Sequence, residues 1–475
     1  EQQYLRTGLE QVQQDVRSGF EYLFAGLKQV HQGYFGSPPM YPYEAPLGDQ
    51  PGSSFQHHRG REISSRSFLM IFSSILVTDT KGHEYWQKTD IDIDRHVILI
   101  TDPIGEHEHN SDETAINEYL ANLAVSSPLS FDKPLWEIHL IPAHKCVVLR
   151  IHHALGDGIS LMSLMLTLAR RLDDPCCTPT IEPLGSTRRK QRVSNLEVVV
   201  KVVKMILFSL IYVFEFIMRG LWMKDGKTVV RGGEGVEMWP RKIVTAKFTL
   251  EDMKTVKNSV TDATINDVLF GIISLGLSKY LGNRSSDSLQ EGLQITGVAM
   301  VNLRPSPGLQ DIKELMKKNA GLGWGNKIGI ILLPVYYHRN VSDPLQYLKR
   351  AKTMVDRKKL SLEAFLSHQI GHFVMKFFGA KVASMLNYRV VCNTSFTISN
   401  VVGPREDITI AGIPVTYMRT TSSSLSHAIT MHMLSYSGKA DMQILVAKDL
   451  IPDSEFLAEC FEDALLEMKQ ASERI

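Results

Sequence analysis

One stretch restricts the fold of this chain more than any other: Cys146 to Leu172, CVVLRIHHALGDGISLMSLMLTLARRL. Cys146–Ile151 is short, apolar and β-branched apart from Arg150, which is the pattern of a strand. Ile159–Leu172 is apolar nearly all round and long enough to be a buried helix. Between them stand His152, His153, Ala154, Leu155, Gly156, Asp157 and Gly158. Two imidazoles therefore occupy a strand-to-helix turn, the kind of junction where α/β folds tend to place their chemistry.

A neutral imidazole, with an ordinary pKa of about 6.5, is the side chain best matched to taking a proton at neutral pH. Neighbouring residues of a regular strand point to opposite faces, so His152 and His153 cannot share one pocket. One is free to act as a base while the other packs behind it. Asp157 either orients an imidazole or serves as the N-cap of the following helix. Gly156 and Gly158 permit backbone angles and close approaches that a side chain would forbid.

Composition removes several alternatives. At 475 residues the chain can build two or more domains with full cores. Its 44% apolar and 22% charged residues are those of an ordinary globular protein, and a net charge of +1 gives nucleic acid no purchase. Cys146, Cys176, Cys177, Cys392 and Cys460 form no CxxC pair, and an odd count suits a reducing compartment. Neither structural disulfides nor a zinc site is expected. A hydrolase would need a nucleophile, yet the sequence has no G-x-S-x-G and no cysteine in the histidine turn. The chain begins with Glu1, so the lack of a leader peptide carries no weight.

Residues 1–30 read as a polar, Gln-rich helix and 36–54 as a Pro/Gly/Tyr-rich linker. Strands are expected at 72–77, 96–100, 134–140, 243–248, 293–301 and 328–334. A further strand, 392–398, ends at Ser399-Asn400, and others lie at 428–436 and 442–447. A hairpin turns at Ala411-Gly412, and helices cover 115–124, 264–281, 344–360 and 453–470. His107 and His109, in the acidic loop GEHEHNSDE, could ligate a metal but read as solvated. His368 and His372 have zinc-compatible i,i+4 spacing without a third ligand nearby, so they read as packing residues.

The segment Asn195–Trp222 is the second informative stretch. As a helix it would be roughly 42 Å long, enough to cross a bilayer. Glu197, Lys201, Lys204, Glu215 and Arg219 fall within one arc of about 60°, and the rest of the surface is almost wholly apolar. That pattern favours a helix lying in a membrane interface, or packed with its charged stripe inward, over a plain lipid-exposed span; a buried core helix is the remaining alternative. The basic run Arg188-Arg189-Lys190-Gln191-Arg192 just before it could meet anionic headgroups.

The HHxxxDG block resembles the catalytic motif of the CoA-dependent acyltransferase superfamily. The fuller resemblance is to the plant wax ester synthase/diacylglycerol acyltransferase family. It rests on Pro134-Leu135-Trp136, His152–Gly158, Asn266-Asp267, Val301–Pro305, Gly325–Gly329 and Ser399-Asn400-Val401-Val402-Gly403-Pro404, in that order. It starts at about Phe72; the family's usual opening blocks are absent before it.

The resemblance implies an α/β protein of two chloramphenicol acetyltransferase-like domains with a central tunnel, plus a membrane-associated helix. The expected division is 1–55 for a divergent helix and linker, 56–175 for the first acyltransferase domain, 176–240 for a linker holding helix 195–222, and 241–475 for the second domain. The implied reaction moves a fatty acyl group from acyl-CoA, a co-substrate, to a long-chain alcohol or to diacylglycerol, without a metal. His153 would be the general base, with His152, Asp157 and Gly158 in support. Ser399, Asn400, Asn266 and Asp267 are candidates for substrate or oxyanion contacts, although each also has a turn-forming or helix-capping reading. Trp136 either lines an acyl pocket or fills a core. The family's salt bridge to the motif aspartate implies Arg304 as the partner of Asp157. The implied setting is the endoplasmic reticulum membrane with the site facing the cytosol, with the plasma membrane as the alternative, and membrane lipid touching 188–222. A soluble phenolic or amine acceptor, or a non-catalytic acyl-CoA- or lipid-binding role, are the competing readings.

Overall fold

The computed structural model of the chain describes residues 71–80, 84–105, 111–180, 194–285, 289–304, 324–339 and 343–474. The helix and linker expected over 1–55, the loop histidines His107 and His109, and the basic run 188–192 lie outside these residues.

In chain order, β1 (Ser74–Thr78) and β2 (Glu84–Lys88) pair as an antiparallel ribbon. Then come β3 (Val97–Leu99), helix α1 (Asp112–Ser126), β4 (Trp136–Ile141) and β5 (Cys146–Ile151). β3 is parallel to β4, and β4 is antiparallel to β5 with Trp136 opposite Ile151. A single 3-10 turn over His153–Leu155 leads into α2 (Gly158–Leu168) and β6 (Ala169–Arg171). The chain continues through α3 (Asn195–Leu221), β7 (Arg241–Thr249), α4 (Leu250–Asn258), α5 (Ile265–Ser285), β8 (Gln294–Asn302), β9 (Ile328–Tyr336) and α6 (Leu345–Leu360). It closes with α7 (Glu363–Cys392), β10 (Phe396–Val402), β11 (Ile408–Ile410), β12 (Ile413–Pro414), β13 (Ile429–Tyr436), β14 (Lys439–Ala447) and α8 (Ser454–Ser472).

The C-terminal half is built on a six-stranded sheet, ordered β7-β14-β13-β10-β8-β9, in which β10 runs parallel to both β13 and β8. Its two faces are unlike. Val244, Ala246, Met442, Ile444, Ile429, Met431, Met433, Phe396 and Ile398 point to one side and form the main core with α4, α5, α6 and α8. The other side faces the N-terminal half. There α1 covers the β7–β14 edge, with Ala121 against Ile243 and Leu445, while α2 sets Met162 and Leu166 against Leu434 and Tyr436.

Two boundaries differ from those read in the sequence. The helix expected over 159–172 stops at Leu168, because Ala169–Arg171 leaves it to pair antiparallel with Ile408–Ile410. The strand expected to end at Ser399-Asn400 starts at Phe396 and runs through both residues to Val402, paired with β13 throughout and with β8 only over Phe396–Ile398. Helix α7, whose extent the spacing of His368 and His372 alone does not give, carries no clean apolar stripe and breaks at Gly379, where φ is 80°.

α3 starts with a full capping box between Ser194 and Glu197. Its inward side mixes apolar packing, with Phe216 against Val298, Leu332 and Val390, and polar contacts. Ser209 accepts the Leu362 N–H at 2.9 Å, and buried Arg219 reaches Asp225 at 2.6 Å and the Asn393 carbonyl at 2.9 Å. The outward side exposes Leu196, Val199, Val203, Leu207, Leu210 and Phe214. Among the described residues, no helix is long and apolar enough to cross a membrane.

Candidate active site

β5 ends at Ile151, so the histidine pair lies just beyond the ladder, and strand alternation does not separate the two rings. Hydrogen bonds do. His152 keeps extended angles and its Nδ1 accepts the N–H of Ala154 at 3.2 Å, as an N-cap does for the first turn. Partial enclosure of its ring, and then the neighbouring His153 charge, lower its pKa. His153 is exposed. Its Nδ1 lies 3.0 Å from Oδ1 of Asn326, whose Nδ2 donates to the His153 carbonyl at 2.7 Å.

Asp157 does not reach either imidazole. Its Oδ1 caps α2 by accepting the Ser160 N–H at 3.0 Å, and its Oδ2 accepts from Arg304 Nη1 at 2.6 Å and from the Lys327 N–H at 3.0 Å. Both partners are buried, at 2% and 5% exposure. Arg304 Nη2 is spent on Ser160 Oγ at 3.0 Å and on the Gly325 carbonyl at 2.7 Å. A buried ion pair survives only when its remaining donors and acceptors are also satisfied, and this one is. The pair thus ties the start of α2 to the segment after β8 and holds the histidine turn in place.

The glycines are explained by crowding. A Cβ on Gly156 would lie 3.2 Å from both Ser160 Cβ and Trp324 Cζ2, and Trp324 Nε1 donates to the Leu155 carbonyl at 2.7 Å. A Cβ on Gly158 would lie 3.2 Å from Val401 Cγ2. Gly325, at φ 111°, takes the left-handed backbone that sets its carbonyl on Arg304 and the next side chain, Asn326, on His153.

The remaining candidates separate into two groups. Ser399 and Asn400 are adjacent in β10 and so point to opposite faces. Ser399 shares the face of Val401, which touches the histidine turn, and stands directly opposite His432 of β13. Asn400 lies on the helix side, where its Nδ2 donates to Asn266 Oδ1 at 2.7 Å. Asp267 is fully buried and takes both the N–H (2.7 Å) and Oγ1 (2.8 Å) of Thr264, which makes it a helix cap. Trp136 is a core residue: it is 3% exposed, stacks on His96 with ring centroids 3.9 Å apart, and donates to the Phe72 carbonyl at 3.0 Å. Asn266 and Asn400 thus share an exposed hydrogen bond, Asp267 keeps Oδ1 without a hydrogen-bond partner among the described residues, and Trp136 is packed in the core, while His153 and Ser399 stand on the side where the two halves meet.

Two residues the sequence reading passed over belong to that side. Asn326 sits in a quoted block, but its contact with His153 spans 173 positions, and no local pattern announces it. His432, 8% exposed, is held neutral by burial and by the nearby His153 charge, with its pKa pushed down to about 4. Its Nδ1 has no hydrogen-bond partner among the described residues, nor do Oγ1 of Thr430 and Oε1 of Gln443 on the same face. Among the described residues no three His, Cys, Asp or Glu side chains gather as metal ligands, and His368 donates through Nδ1 to the Ile328 carbonyl at 2.9 Å.

Comparison with known proteins shows the family. Residues 57–269 match the family model of the wax ester synthase/diacylglycerol acyltransferase catalytic domain, and residues 324–469 match that of the WS/DGAT C-terminal domain. Wax ester synthase/diacylglycerol acyltransferase 6 of Arabidopsis thaliana is 32% identical over 441 residues, covering 84% of each chain. Wax ester synthase/diacylglycerol acyltransferase 2 of the same plant is 34% identical over 417 residues, covering 84% of this chain and 86% of its own. The solved structure of the wax ester synthase/diacylglycerol acyltransferase from Marinobacter aquaeolei VT8 shares the fold, with a TM-score of 0.52 at 15% identity, over 85% of this chain and 86% of the other.

Proposed function

The chain belongs to the wax ester synthase/diacylglycerol acyltransferase family, and from that premise we propose that it is an acyl-CoA-dependent O-acyltransferase. It moves a fatty acyl group to a long-chain alcohol, giving a wax ester, or to diacylglycerol, giving triacylglycerol. The observation that carries this reading is the exposed imidazole of His153, held at a junction of the two halves by a buried ion pair that makes no contact with it.

The chemistry is one direct transfer. His153 takes the hydroxyl proton of the acceptor as its oxygen attacks the thioester carbonyl carbon. The tetrahedral intermediate carries its negative charge on the former carbonyl oxygen. Ser399 and His432, opposite one another on the face turned to the histidine turn, are the donors suited to that oxygen. The C–S bond then breaks, and His153 returns the proton to the thiolate, releasing ester and free CoA. A tunnel between the halves would bring acyl-CoA and acceptor to this point from opposite mouths.

Lipid-soluble substrates call for a lipid surface, and the outward apolar side of α3 supports attachment of this helix to a membrane interface. The setting we propose is the cytosolic side of the endoplasmic reticulum membrane.

The test is product analysis in a host that makes no storage lipid, expressing the chain or its His153→Ala form. Wax ester or triacylglycerol is expected from the first and at most about 1% of it from the second. Equal product from both would overturn the role of His153.

A further inference from the structure

We propose that Asn326 is a positioning residue that fixes the protonation of His153, so that Nε2 is the atom that takes the acceptor's proton. This inference rests on the acyltransferase reading and deepens it. A backbone carbonyl can only accept, so the group 2.7 Å from the His153 carbonyl is the Asn326 NH2. The Asn326 oxygen is then the atom 3.0 Å from His153 Nδ1. An amide oxygen also only accepts, so the neutral imidazole carries its hydrogen on Nδ1 and leaves the Nε2 lone pair open.

His152 is set the other way. Its Nδ1 accepts the Ala154 N–H at 3.2 Å, so in the neutral ring the hydrogen sits on Nε2 and no nitrogen is free to take a proton. Two adjacent imidazoles are thus held in opposite tautomers, one by the backbone of its own turn and one by a residue 173 positions away. This is why the second histidine, and not the first, is the base. Asn326 depends in turn on the left-handed Gly325 and on the Arg304 grip on the Gly325 carbonyl, so the ion pair of Asp157 and Arg304 reaches the base through Asn326.

The experiment combines nitrogen NMR of the full chain labelled at histidine with steady-state kinetics. Signals of residues 152 and 153 are assigned by loss in His152→Gln and His153→Gln. In the parent protein, residue 153 is expected to carry its hydrogen on Nδ1 and residue 152 on Nε2. Asn326→Ala is expected to mix the tautomers of His153 and to lower kcat about 10- to 100-fold, with KM for acyl-CoA changed less than about threefold. Asn326→Asp keeps an oxygen acceptor at Nδ1 and places a carboxylate beside the ring. It is expected to retain the Nδ1 hydrogen and to move the acidic limb of the kcat/KM profile to higher pH. An Nε2 hydrogen on His153 in the parent protein overturns the proposal, as does an unaltered tautomer and pH profile in both variants. If His153→Gln keeps full activity, the acyltransferase mechanism fails, while the NMR result still judges Asn326.

Discussion

The two faces of the six-stranded sheet divide the labour of this protein. On the helix side, Phe396, Ile398, Ile429, Met431, Met433, Met442 and Ile444 form one large core, with Asn400 at its end. On the side turned to the histidine turn, the same strands offer Thr245, Thr397, Ser399, Thr430, His432 and Gln443. Part of that polar row is paired: His427 is buried between Thr394 and Thr397 at 2.8 Å each, and Gln443 donates to Thr245 at 2.7 Å. Part of it is not, at Thr430, His432 and Gln443. Burying an unpaired polar atom costs free energy, so these three atoms detract from the stability of this face.

The exception on the polar side is the ion pair of Asp157 and Arg304, and it gives the largest expected effect. Arg304→Ala leaves a buried carboxylate uncompensated and is expected to destabilise the protein by about 3–5 kcal/mol. On the apolar face, Ile444→Ala opens a cavity and is expected to cost about 2–5 kcal/mol. Chemical denaturation measures both. If Ile444→Ala instead costs less than Thr430→Val, which removes an unpaired hydroxyl and should lie within about 1 kcal/mol of the parent, the division of the faces is wrong.

His432→Ala sharpens the comparison from the catalytic side. Loss of an oxyanion donor is expected to lower kcat about 100-fold while the denaturation midpoint hardly moves. A fall in midpoint with kcat intact would make His432 an ordinary core residue.

A separate effect is a dependence on pH. Burial, and then the Arg241 charge, push His427 down to about 3, while burial and the His153 charge push His432 down to about 4. In the unfolded chain each titrates near 6.5. Between these values the unfolded state binds more protons, so stability is full above about pH 6.5 and falls as the solution is acidified towards pH 4. Thermal melts across that window should show a shallower fall in His432→Gln than in the parent. An unchanged slope would mean that the ring is not buried neutral.

Much of this site could be read before any coordinates. The strand, the two imidazoles, the capping Asp157 and the turn glycines are local in sequence, so periodicity and spacing reveal them. The ion pair to Arg304 came from family resemblance, because nothing local in either residue names the other. What escaped was the identity of strand faces. Reading β10 as ending at Ser399-Asn400 left each residue with either a substrate or a turn role, whereas a strand continuing to Val402 puts the two on opposite faces, with Asn400 bonded to Asn266. Helix α3 was legible in its charged stripe, of which only Arg219 is buried while Glu197, Lys201 and Lys204 are exposed. Helix α7 was not, because its apolar residues favour no side.

One short strand has a consequence for how long, oily molecules come and go. Ala169–Arg171 follows directly on α2, yet it is hydrogen-bonded to Ile408–Ile410, so the two halves are laced together near their seam. They cannot swing apart like a clamshell without tearing those bonds. Any opening of the seam to admit an aliphatic chain must therefore lie away from this strand pair.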